Sequence, residues 1–191
     1  MAVAILLTTV CSACAVSASQ SPDADLGQLM KTKQCQHCNL ADVELKGADL
    51  QHANLQGANL EGADLQHANL KGVNLEGANL VGVNLSRASL SSADLSYAQL
   101  SNTNLSSANL IKADLSHADL SGANLNYAKV ISAKLISTNL ESANLNSVDF
   151  SKADLDNAIL IDSDKLESAN LTNASLTEAM MPDGSIYSSN N

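Results

Sequence analysis

Leucine recurs at every fifth residue from Leu40 to Leu160, with Val130 and Phe150 as the only substitutes, so the apolar beat passes through twenty-five positions without a slip. Two places before each stands mostly alanine, as in Ala48-Asp49-Leu50 and Ala58-Asn59-Leu60, and the other three positions are mostly polar. Five helical steps of about 100° leave successive leucines roughly 140° apart around the axis, so no straight helix buries the set. In a straight strand, five steps put consecutive leucines on opposite faces, while alanine and leucine two apart share one. Each pentapeptide is therefore expected to be extended briefly and then to turn. If every turn has the same sense, leucines and alanines point to one axis. Neighbouring coils then supply the burial that no single repeat achieves, and the shape is a solenoid.

The Ala-Asp/Asn-Leu triplet followed by two polar residues resembles the pentapeptide-repeat family over about three quarters of the chain. That resemblance implies an all-β solenoid, a right-handed quadrilateral β-helix with four pentapeptides per coil, in which residues twenty apart stack on one face. With further repeats centred on Leu166, Leu171 and Leu176, about seven coils are expected. At about 4.8 Å per coil they form a rod on the order of 34 Å long. One Phe, three Tyr and no Trp suit so slender an interior, because alanine lets the walls approach and each buried leucine contributes roughly 2 kcal/mol.

Outside the beat the chain divides further. Residues 1–18 read as a cleaved secretory signal: the stretch is apolar and small, and Val16-Ser17-Ala18 or Ala13-Cys14-Ala15 offers a cleavage site, although positive charges before the apolar core are missing. The apolar run is too short to span a bilayer. Residues 19–34 form a linker and an N-terminal capping helix, which starts at Ser21-Pro22-Asp23 and presents Leu26, Leu29 and Met30 to the first coil. Residues 35–179 make the β-helix, with a one-residue slip at 161–165 read as a bulged corner. Residues 180–191 are a cap and tail, in which Met180, Met181 and Pro182 close the rod and Asp183-Gly184 turns the chain away.

Charge changes the picture only modestly. Twenty acidic against ten basic residues, a net of −10, argue against direct nucleic-acid binding. Lysines at 46, 71, 112, 129, 134 and 152 interrupt the acids along the rod, which favours ordinary solubility over imitation of a polyanion.

Candidate chemistry is sparse. Cys35 and Cys38 flank Gln36-His37, and the repeat frame points both inward, Cys35 on a leucine position and Cys38 on an alanine position. A structural disulfide bracing the first coil is the favoured reading, with buried thiols or a redox pair as alternatives. Zinc would need a second ligand pair, and haem attachment a histidine where Asn39 stands. His37, His52, His67 and His117 are expected as solvated corner residues that share no face. Asp162, Asp164 and Glu167 lack the glycine and glutamate of a calcium loop. No nucleophile and base grouping or phosphate loop stands out, so neither an enzyme nor a cofactor or metal is expected.

Two surface features remain. Ile111 and Ile131 stack by the twenty-residue rule, and Ile136 sits on the next face beside Lys129 and Lys134, a small apolar and basic patch suited to contact. Tyr97 and His117 would stack one coil apart. The expected role is a non-catalytic structural or protein-interaction module in an extracytoplasmic compartment. Resemblance to exported cyanobacterial and chloroplast-lumen members implies the periplasm or thylakoid lumen. Its partner is expected to be another protein, with the rod a monomer or an end-to-end dimer and no transmembrane segment. The alternative is a DNA-mimicking gyrase-binding protein of the quinolone-resistance type. Acidity and rod shape agree with it, while export and the interspersed lysines do not.

Overall fold

The computed structural model describes residues 21–188. The expected signal lies outside them. Within each repeat the residue before leucine makes a single parallel bridge to the coil beyond, and the two residues after it turn. An N–H of the next repeat closes the turn, as Ala48 donates to Leu45 C=O at 3.0 Å. Side chains reinforce it where the bridging residue is Asp or Asn: Asp64 Oδ1 accepts the Gln66 N–H at 2.9 Å, an Asx turn that consumes a donor otherwise left to water.

The second turn residue has positive φ in every repeat of the wall, which explains glycine at many of these corners. At Gly72, φ 62°, space adds a second reason. The ring of His52 lies over it, and a Cβ there would stand 2.6 Å from Nδ1.

Bridges join residues twenty apart from Gln34↔Asn54 through Asn144↔Asp164, so four pentapeptides complete one coil. Leu60 N–H donates to Asn79 C=O at 2.8 Å, and Asn79 N–H donates back to Ala58 C=O at 2.9 Å. Every coil is therefore sewn to its neighbours in both directions. Inside, the leucines from Leu50 to Leu160 with Val130 and Phe150 form columns fully withdrawn from water, and alanines fill the space between. Thr103 and Thr138 occupy alanine positions and donate Oγ1–H to Leu80 C=O at 2.7 Å and to Leu115 C=O at 2.8 Å.

The slip resolves as one extra residue. Beyond Asp164 the bridges become twenty-one apart, as in Asp149↔Asn170 and Ile159↔Met180. Lys165, at φ 62°, is the insertion, and the 3-10 turn Leu166–Ser168 that follows returns Leu166 to the interior. A bulge absorbs the residue without turning the hydrophobic face outward.

At the N-terminal end stands α1 (Pro22–Thr32), with Pro22 in its first turn, Asp23 and Asp25 near its positive end, Lys31 in its last turn and Lys33 at φ 59° beyond it. Leu29 is buried against the first coil and Leu26 is partly so. Met30, expected on the same face, is 52% exposed. Its place is taken by Asp25, one helical turn before Leu29, whose Oδ2 accepts the Asn39 N–H at 2.8 Å. A carboxylate serves there because the first coil has an N–H to satisfy and no coil before it to do so.

The tail also departs from expectation. Asp183-Gly184 turns the chain back rather than away: Met181 N–H donates to Ser185 C=O at 2.7 Å, Tyr187 N–H to Ala179 C=O at 2.8 Å, and Met180 bridges Ile186 antiparallel. One face of the last coil is thereby covered by the chain's own end.

Candidate functional site

The wall offers corners and ends rather than a cleft. Cys35 and Cys38 are joined by a disulfide with Cα atoms 5.3 Å apart, spanning the first corner, and both are buried. Cys35 Sγ lies 3.2 Å from the Asp25 carbonyl oxygen, so bridge, first coil and α1 form one packed end. Among the described residues no His, Cys, Asp and Glu grouping could hold a metal ion. None of their helices is long and apolar enough to cross a membrane.

Ile111, Ile131 and Ile136 are each half-buried, while Lys129 and Lys134 are exposed. Lys112 N–H donates to Ile131 C=O at 3.0 Å, which places the Ile111 corner on that of Ile131. Lys134 Nζ meets Asp114 Oδ2 at 3.1 Å, one coil away on the same face. Burial pushes the Asp114 carboxyl up, but hydrogen bonds from Ser116 and the Lys134 ammonium outweigh it and leave the group below its ordinary value. The structure thus brings the five residues to one stretch of wall, less apolar to solvent than the sequence suggests.

More exposed apolar surface lies elsewhere. Tyr97 is 61% exposed and stacks on His117, ring centroids 4.8 Å apart and 14° from parallel. Tyr127, at φ 58°, is equally bare on another corner. Ile186 and Tyr187 project from the tail. The stack of Tyr97 on His117 is the one expected from the sequence, and the same repeat frame could have flagged Tyr127, since tyrosine on a positive-φ corner cannot reach the interior. The histidines need a correction. His37 and His117 do share a corner, since each of His37, Gly57, Gly77 and Tyr97 donates its N–H to the coil beyond in one continuous column that reaches His117 and runs on through Ser137 and Asn157. Four coils separate the two rings, so the shared corner makes no site. His52 and His67 lie on other corners.

At the C-terminal end a depression of about 350 Å³ opens beside the tail, lined among others by Ala174, Leu176, Glu178 and Tyr187. Asp156 at its margin is held below the ordinary carboxylate range by the Ser175 hydroxyl and the Thr177 N–H.

A leucine-filled solenoid that presents its polar groups at corners and ends is a repeat protein of the quadrilateral β-helix class. A family model described as pentapeptide repeats matches in eight copies over residues 34–66, 68–106, 88–127, 98–135 and 123–162. The chain belongs to the pentapeptide-repeat family, whose fold is the right-handed quadrilateral β-helix and whose members are generally non-enzymatic structural or interaction modules. Among solved structures it is similar to QnrB1, a plasmid-mediated fluoroquinolone resistance protein, at 19% identity over 75% of this chain and 74% of that one, with a TM-score of 0.54. It also matches HetL, a pentapeptide repeat protein involved in heterocyst differentiation regulation from the cyanobacterium Nostoc sp. strain PCC 7120, at 30% identity over 81% and 91% of the two chains, TM-score 0.26. A pentapeptide repeat protein from the Arabidopsis thaliana thylakoid lumen matches at 24% identity over 64% and 72%, TM-score 0.36. No curated protein matches. The likeness to QnrB1 speaks for the fold alone.

Proposed function

We propose that the chain is a non-catalytic structural or protein-interaction module of an extracytoplasmic compartment, the periplasm or thylakoid lumen, built as a signal (1–18), a linker and capping helix (19–34), a β-helix of about seven coils (35–179) and a cap (180–191). The observation that carries this reading is the filled interior: leucine columns with no water-accessible side chain from Leu50 to Leu160 leave recognition to outward groups. The Cys35–Cys38 bridge supports export, since such bonds persist in oxidising compartments. The proposed contact surface is Ile111, Ile131 and Ile136 with Lys129 and Lys134, continued by the Tyr97–His117 stack.

Fractionation of cells expressing a tagged full chain, with cross-linking from a photoreactive residue at position 136, tests both parts. A mature protein in the exported fraction that cross-links to a discrete partner is expected. Cytoplasmic residence with two free thiols at Cys35 and Cys38 would overturn the compartment, and a bare wall in every fraction the contact surface. The gyrase-binding alternative draws on fold and acidity. Inhibition of supercoiling by the purified rod at low micromolar concentration would put it first.

A further inference from the structure

Throughout the wall, the N–H of the leucine position and that of the second turn residue donate to the coil beyond, as Leu155 donates to Ser175 and Asn157 to Thr177, both at 2.8 Å. In the last coil the same groups, the N–H of Leu171, Asn173, Leu176 and Glu178, meet no acceptor among the described residues. Carbonyls divide the same way. Ala179 C=O accepts the Tyr187 N–H from the returning tail, whereas Ala169 and Ala174 C=O accept nothing among the described residues. The tail therefore covers the face that ends in Met180 and leaves the edge from 169 to 178 open. Side chains agree: Ala169, Leu171 and Ala174 are half-buried, while their equivalents one coil earlier, Val148, Phe150 and Ala153, are buried. A sheet edge with free donors, free acceptors and apolar side chains is a template for an added strand.

Charge decides what kind of strand. Asp164, Glu167, Glu178 and Asp183 are exposed around this end; Lys165 is already 3.8 Å from Asp164, and Lys152, one coil back, leaves the acids in excess. Two such ends face to face would set like charges against each other, which disfavours a second copy and favours a cationic segment. The depression beside Tyr187 offers an apolar floor of Ala174 and Leu176 with the Glu178 carboxylate at its rim. An apolar side chain fits the floor while a neighbouring Lys or Arg meets the rim.

We propose that the open edge 169–178 takes up an extended segment of a partner protein, in which apolar residues alternate with Lys or Arg, as an added β-strand. The inference rests on the interaction-module reading and gives that module a partner chemistry. Its probes are two synthetic peptides on the full chain, one alternating valine and lysine, the other valine and glutamate, with amide hydrogen exchange followed by NMR. The lysine peptide is expected to slow exchange at Leu171, Asn173, Leu176 and Glu178, and the glutamate peptide to leave it unchanged. Glu167→Lys with Glu178→Lys should weaken the lysine peptide by about tenfold at low salt with an unchanged melting midpoint. Four outcomes would overturn the proposal: these amides already protected in the protein alone, a concentration-dependent dimer protecting them, protection confined to the mid-rod wall, or equal binding of both peptides. Each leaves the module reading itself to the cross-linking experiment above.

Discussion

Asp25 Oδ2 accepts the backbone N–H of Asn39 at 2.8 Å, and this contact does for one side of the first coil what a preceding coil does for the rest. One coil later Asn59 donates the equivalent N–H to Cys38 C=O at 2.9 Å. Removing the carboxylate leaves a buried donor unpaired, so Asp25→Ala is expected to cost about 1–3 kcal/mol. Asp25→Asn, which keeps a side-chain oxygen, should recover part of it. Urea unfolding gives the total, and exchange of the Asn39 amide locates it. An Asn39 amide as slow in the alanine variant as in the parent would contradict the capping role.

The interior was legible because the period of five and the identity of its residues say the same thing. A leucine or alanine position means inward, which placed Cys35 and Cys38, and the same rule accounts for the buried Thr103 and Thr138 that the structure shows. What the period could not give is what happens where it stops. Met30 and Asp25 both lie within one helical turn of Leu29, and hydrophobicity alone favours the methionine; the orphan N–H of Asn39 reverses that choice. Asp183-Gly184 marks a turn in the sequence, but its direction depends on the free edge at Ala179 and Met180, a long-range fact. Ile111, Ile131 and Ile136 were readable as neighbours on the wall and not by their exposure, since each proves half-buried.

Ser163 fills an alanine position with its Oγ buried and without a partner among the described residues. Thr103 and Thr138 in equivalent places do donate, to Leu80 and Leu115 carbonyls that also accept the Val83 N–H at 3.2 Å and the Ala118 N–H at 3.0 Å. Ser163→Ala should therefore raise stability by about 1 kcal/mol, because it deletes an unpaired polar atom. Thr103→Val, which leaves the Leu80 carbonyl bonded, should change it by less than about 1 kcal/mol. Melting curves of the two variants decide: a lower midpoint for Ser163→Ala would mean that the hydroxyl has a partner.

Stability should fall on acidification, for a traceable reason. The Ser151 N–H holds the Asp149 carboxyl below its ordinary value, with help from the Ser151 hydroxyl, Asn170 and Lys129, and the Ser175 hydroxyl does the same at Asp156. A carboxyl lowered on folding contributes stability above its unfolded pKa of about 3.9, and that contribution is lost as pH falls through the folded value. The melting midpoint is expected to be level between about pH 7 and 5 and to drop below about pH 4. Asp149→Asn keeps an oxygen for the Ser151 N–H and cannot titrate, so its drop should be shallower than the parent's. An identical acid limb would remove Asp149 from the account.

The Cys35–Cys38 bridge closes a loop over Gln36 and His37 alone. So small a loop limits what the cross-link can withdraw from the unfolded chain, to about 2 kcal/mol on loop-closure entropy. Its effect should therefore be local. Cys38 C=O accepts the Asn59 N–H and Cys35 N–H donates to Asn54 C=O at 2.8 Å, so loosening this corner reaches the second coil directly. Each later coil bonds only to its neighbours, and the disturbance should fade along the rod. Under reductant, amides at Cys35, Asn39 and Asn59 are expected to exchange faster while those at Leu100 and Leu120 keep their rates. Equal acceleration along the whole rod would show that the solenoid unfolds as one unit, and that the bridge acts on all of it.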